Sequence, residues 1–133
     1  MIFAVDFRGS SSAEVFCSMS TIKVADFAPF PGGRYETDGP YSGEWFRETI
    51  LRPHLKEALE TGQKVIVVLE GAPGYGSSFL EEAFGGLIRV GAFRKSDLDK
   101  TLVLSAGSTL YEPFKRLVER YLREARFGAS TPS

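Results

Sequence analysis

The residues from Gly71 to Ser78, GAPGYGSS, follow an apolar β-branched run, Val65 to Leu69, and precede an apolar-periodic stretch that opens at Phe79. A strand that ends in a glycine turn at a helix N-terminus presents unpaired backbone N–H groups, which attract a phosphate, another anion or a capping hydroxyl. The turn nearly fits G-x-x-x-x-G-K-[ST], the phosphate-cradling loop of nucleotidases, but Ser77 stands where the lysine belongs. That lysine neutralises the β- and γ-phosphates, and TLVLSAG offers no magnesium-binding carboxylate at the end of another core strand. No intrinsic ATP or GTP hydrolysis is therefore expected. The spacing of Ser78 and Glu81 is that of a capping box, which predicts that Ser78 caps the helix and Glu81 reaches back. The functional alternative is that Ser77 or Ser78 accepts a phosphate or belongs to an anion site, since the field at a helix start favours one. Gly74, Tyr75, Gly76, Ser77 and Ser78 form the candidate site. Tyr75, between two glycines, either stands out as an interface anchor or folds back over the sheet end.

A second group is Glu81 and Glu82 with Arg34, Arg47 and Arg89, which are placed to form a supporting polar network. The plain reading is a solvated helix face carrying ordinary ion pairs. Adjacent glutamates point about 100° apart on an α-helix, which suits a general acid/base pair poorly. His54, the only histidine, has no nucleophile or carboxylate motif beside it and reads as a packing or surface residue. There is no G-x-S-x-G elbow. Cys17 is the only cysteine, which rules out an internal disulfide and any cysteine-based zinc site. No metal, cofactor or catalytic residue is expected.

The elements that must position these groups follow from periodicity. Met1–Phe7 and Thr21–Phe27 read as strands, with Gly9–Ser12 as a connector, and Arg34-Tyr35-Glu36 as a brief return strand between two turns. Ser42 opens a helix that runs to Thr61 and is kinked by Pro53. Lys64–Glu70 is apolar enough for a central strand covered on both faces. A helix over Ser78–Val90, a charged loop from Arg94 to Lys100, a strand over Thr101–Ser105 and a helix over Thr109–Arg126 complete the chain. Gly85-Gly86 inside the second helix costs about 1 kcal/mol per glycine relative to alanine, which close packing or a partner's backbone must offset. The last helix interleaves Lys115, Arg116, Arg120, Arg123 and Arg126 with glutamates and reads as a solvated face.

This order predicts one α/β domain, a sandwich of a mixed central sheet and packed helices, with the Lys64 and Thr101 strands parallel. At 133 residues with 43% hydrophobic content, the chain can bury a core without disulfides or metals. A net charge of −1 gives no global pull toward nucleic acid or an anionic membrane. No apolar stretch approaches a membrane span, and the N-terminal apolar run is too short for a secretory signal, so a cytoplasmic protein is expected.

Three segments carry a family resemblance: Pro31–Tyr35 (PGGRY), Asp38–Arg47 (DGPYSGEWFR) and Ser77–Arg89 (SSFLEEAFGGLIR). Together they resemble the signature of a bacterial STAS-like domain family with no assigned activity. The likeness runs from about Thr21 onward, dividing the chain into an N-terminal strand and connector (1–20), a STAS-like domain (21–127) and a flexible tail (128–133). It implies a non-catalytic regulatory or protein-interaction domain. In the related anti-sigma-factor antagonists, a serine at the start of the helix after a central strand is phosphorylated by a GHKL-type ATPase kinase. Their motif is similar to D-S-S-G, and its second serine falls on Ser78. Here Gly76 replaces the aspartate and Phe79 the glycine. The alternative is a small-molecule or nucleotide-phosphate binding module using the Gly71–Ser78 turn.

Overall fold

The computed structural model describes residues 19–129. The expected strand at Met1–Phe7 and its connector lie outside the described residues, and with them any mixed character of the sheet. Three strands, β1 (Met19–Lys23), β2 (Lys64–Val68) and β3 (Leu102–Ser105), form one sheet in the order β1-β2-β3. Both pairings are parallel, with Ile22 opposite Val67 and Val67 opposite Leu104. The Lys64 strand is central, as its apolar run predicts. Its two faces differ, however: Val65 and Val67 are buried, whereas Ile66 and Val68 are only half-buried. The helical layer covers the Val65–Val67 face more completely than the opposite one.

Several local expectations need correction. The strand expected over Thr21–Phe27 stops at Lys23, and Val24–Phe27 coils into a single helical turn, α1, that buries Val24 and closes on Ala28. Arg34–Glu36 does not return as a strand. Its backbone serves the next helix instead: Gly33 and Arg34 carbonyls accept from the Gly43 and Glu44 N–H groups at 2.9 Å. Glu36–Asp38 is a short 3₁₀ turn.

Helix α2 spans 43–61 in three segments: Gly43–Phe46, a π-helical turn Arg47–Leu51, and Arg52–Thr61. Ser42 caps it, its hydroxyl accepting from the Trp45 N–H at 3.0 Å. Pro53 is absorbed by the π turn just upstream, where the Arg52 N–H reaches the Arg47 carbonyl. The wider turn accommodates the proline ring and its missing donor without breaking the helix.

Helix α3 spans 77–89 and likewise contains a π turn, Glu81–Gly85, between Ser77–Leu80 and Gly86–Arg89. Every residue from Phe79 to Ile88 is buried, as expected of a helix with neighbours on all sides. The segment expected as a charged loop is a helix, α4 (Lys95–Thr101), started by Asp97, whose carboxylate accepts from the Arg94 N–H at 2.9 Å, and anchored by buried Leu98. A 3₁₀ turn, Thr109–Tyr111, leads into α5 (Glu112–Glu124). Helix α3 packs between α2 and α5, and its own Phe79, Leu80 and Phe84 are fully buried in the core together with Phe46, Leu51 and Leu55 of α2.

The N-cap of helix α3 lies two residues earlier than the serine spacing predicts. Gly76 is its N-cap residue, no side chain caps it, and Glu81 does not reach back. The capping box at Ser78 is thus overturned, because the Glu81 carboxylate is engaged elsewhere. Ser42→Ala is expected to lower stability by about 0.5–2 kcal/mol, while Ser77→Ala and Ser78→Ala leave the urea midpoint unchanged. A loss at Ser78 matching that at Ser42 would restore the serine as a cap.

Candidate functional site

The turn after β2 places its residues at the carboxyl end of the parallel strands. Gly71, at φ +113°, lies where a Cβ would come within 2.7 Å of the Lys23 side chain. Tyr75 does not project from the turn. Its hydroxyl donates to the Leu69 carbonyl at 2.7 Å, and its ring packs against Phe79 and Phe114, with centroids 5.9 and 5.3 Å away. Burial, with Tyr111 nearby, pushes its phenol well above the ordinary range. Of the two alternatives for Tyr75, the structure shows the inward one. What the turn exposes is Gly71, Pro73, Gly76, Ser77 and Ser78, with Gly74 half-covered.

One helical turn further on, the five residues of the polar network meet. Glu82 accepts from three arginines: Arg34 at 3.2 Å, Arg89 at 2.9 Å, and Arg47, which also donates to the Glu82 backbone carbonyl at 3.0 Å. Glu81 accepts from Arg34 and, at 2.5 Å, from Arg89. Both glutamates are 4% exposed, so the solvated helix face expected from the sequence is a buried ionic cluster. Burial opposes the charged form of Arg47, but its bonds to Glu48 and Glu82 outweigh this and hold the guanidinium above its ordinary pKa. Arg34 is shifted the same way, burial again working against Glu81 and Glu82.

The local structure explains how the cluster forms. The loop carrying Arg34 is strapped to the start of α2 by the Gly33 and Arg34 carbonyls. Arg47 opens the π turn of α2, and Glu81 and Glu82 open that of α3. Gly43 lets the two helices touch backbone to backbone: a Cβ there would lie 2.6 Å from the Phe79 carbonyl oxygen. The glycine pair supplies the remaining space. A Cβ on Gly86 would overlap the Arg47 guanidinium, and one on Gly85 would lie 2.8 Å from Glu81 Oε2. Close packing is thus what offsets the helix cost of Gly85-Gly86, and the packed neighbours are ionic.

Residues 42–108 match the family described as STAS-like domain of unknown function (DUF4325). The chain belongs to this family. No curated protein and no solved structure matches the chain. The STAS-like match includes the Gly71–Ser78 turn and four of the network residues, Arg47, Glu81, Glu82 and Arg89, while Arg34 lies before it. Within the STAS-like domain, each carboxylate of the network is shared between guanidinium groups. These bonds tie α2, α3 and the Arg34 loop together. Among the described residues, no three His, Cys, Asp or Glu side chains are grouped to hold a metal ion, and no helix is long and apolar enough to cross a membrane. His54 bonds through Nδ1 to the Ile50 carbonyl of its own helix at 2.7 Å. One feature escaped sequence reasoning altogether, the aromatic corner of Tyr41 and Trp45; an acidic run of residues without Lys or Arg from Tyr35 to Trp45 was its available signal.

Proposed function

We propose that this STAS-like domain is a non-catalytic regulatory module that engages a protein partner through the exposed start of α3, and that phosphorylation at Ser77 or Ser78 controls the contact. The reading is carried by one observation: both serines stand exposed in the first turn of α3, directly after the central strand, with no capping duty to compete for their hydroxyls. A phosphate there would meet the positive end of the helix dipole without disturbing the buried remainder of α3. The ionic cluster below keeps that remainder rigid, so a change of charge at the first turn is read at the surface. A GHKL-type ATPase is the partner suggested by the resemblance to anti-sigma-factor antagonists. Mass spectrometry of the chain isolated from its native host is expected to map phosphate to Ser77 or Ser78. The unmodified chain is expected to capture a specific protein that Ser78→Glu releases. An unmodified chain whose captured partner ignores substitutions at both serines would reject the proposal.

The nucleotide-phosphate alternative has one observation in its favour. Lys23, which makes no ion pair among the described residues, lies over Gly71 and brings a cation to a turn that lacks the P-loop lysine. Saturable heat on titration with ATP or inorganic phosphate, abolished by Lys23→Ala, would favour it over the regulatory reading.

A further inference from the structure

A pocket of about 350 Å³ opens between the Glu36–Asp38 turn and the start of α2, lined by Glu36, Gly39, Pro40, Tyr41 and Trp45. Two of its walls are aromatic. The Tyr41 and Trp45 rings meet edge to face, with centroids 5.7 Å apart and planes at 73°. Both side chains are only half-buried. The position of Tyr41 is enforced rather than relaxed: at φ +60° it is the only non-glycine residue in the left-handed region among those described. The surrounding chain holds it there. Gly32 donates its N–H to the Tyr41 carbonyl at 2.8 Å, and a Cβ on Gly32 would lie 2.7 Å from the Pro40 carbonyl oxygen. A bulky residue kept in a costly backbone conformation so that its ring forms a pocket wall is an outlier that points to use.

The charge that this segment brings to the pocket has one sign, and Glu36 lines the pocket itself. From Tyr35 to Trp45 the sequence holds Glu36, Asp38 and Glu44 and no lysine or arginine. The Asp38 and Glu44 carboxylates accept from the Tyr35 and Glu36 N–H groups, at 2.9 Å each. Neither bond neutralises their charge. The Glu36 carboxylate makes no ion pair among the described residues. The nearest arginine in sequence, Arg34, is turned away into the buried cluster with Glu81 and Glu82. An anion is excluded from such a site by repulsion. A neutral apolar group would gain the ring contact but nothing from the carboxylates. An ammonium or guanidinium gains both, because the faces of Trp and Tyr attract cations within about 6 Å of the ring centroid.

We propose that the Glu36–Trp45 pocket binds an organic cation, either a free quaternary ammonium or the ammonium or guanidinium head of a partner polypeptide's basic side chain. The site is independent of the serine turn and uses none of the residues of the ionic cluster.

Trp45 is the only tryptophan, so intrinsic fluorescence of the full chain reports on this pocket directly. The chain is titrated at low salt with choline, with its uncharged isostere 3,3-dimethylbutan-1-ol, and with short peptides bearing a single arginine or lysine. A saturable change with at least one of the cations and none with the neutral isostere is expected. Saturation by choline alone assigns a free ammonium, and saturation by the peptides assigns a basic side chain. Glu36→Gln should weaken the bound cation about fivefold, the Coulomb effect of one carboxylate near 4 Å in a solvent-facing site. Tyr41→Gly removes the ring while suiting the positive φ, so it should abolish binding while a cooperative thermal transition shows that the chain still folds. An equal response to choline and its isostere, no saturable change with any of the cations, or full binding by Tyr41→Gly would each overturn the proposal.

Discussion

Glu82→Ala is expected to destabilise the fold by about 3–5 kcal/mol, the loss seen when one partner is removed from a buried ion pair. The number follows from what stays behind. Glu82 is 4% exposed and receives hydrogen bonds from Arg34, Arg47 and Arg89. Without it, Glu81 still holds Arg34 and Arg89, but Arg47 keeps only Glu48 at the rim and a backbone carbonyl. Arg47 is itself 4% exposed and cannot recover its hydration without opening the contact between α2 and α3. Glu82→Gln retains the volume and one acceptor, so its loss should fall between wild type and Glu82→Ala. Urea denaturation measures both. A loss below about 1 kcal/mol for Glu82→Ala would mean that the cluster behaves as a set of solvated surface pairs.

The buried cluster also marks where the sequence stops being readable. The parallel βαβ order was legible because the β2 segment is a continuous apolar run and α2, α3 and α5 carry apolar residues at helical spacing. The five members of the cluster were legible as residue types, but their burial was not. Charged residues on a helix read as a solvated face with ordinary ion pairs, and the arginines of α2 and its preceding loop that meet Glu82 are far away in sequence. Nothing local to EEAFG announces the π turn at Glu81–Gly85 either. The same holds for Pro53, where the π turn at Arg47–Leu51 takes up the proline and nothing local to RETIL announces it. The capping box failed for a related reason: Glu81 satisfies two arginines, a stronger demand than one backbone N–H. Helix α4 was missed because a helix of seven residues with one buried leucine has too little apolar period to register.

Gly86→Ala tests the packing side of the same cluster, and its sign is the informative part. In an ordinary helix interior the change stabilises by up to about 1 kcal/mol, since alanine is the better helix former. Here the new methyl would overlap the Arg47 guanidinium and lie 3.2 Å from its Cδ. A long side chain can usually swing away from a methyl group. Arg47 cannot do so freely, because its position is fixed by Glu82, the Glu82 carbonyl and Glu48. Net destabilisation of about 1–3 kcal/mol is therefore expected, the range for overpacking a well-filled interior. If the clash acts through the cluster, combining Gly86→Ala with Glu82→Ala should cost clearly less than the sum of the two, because the second change finds the Arg47–Glu82 bond already broken. Strict additivity in that cycle would separate the glycine from the cluster, and a stabilised Gly86→Ala would mean that Arg47 moves aside at no cost.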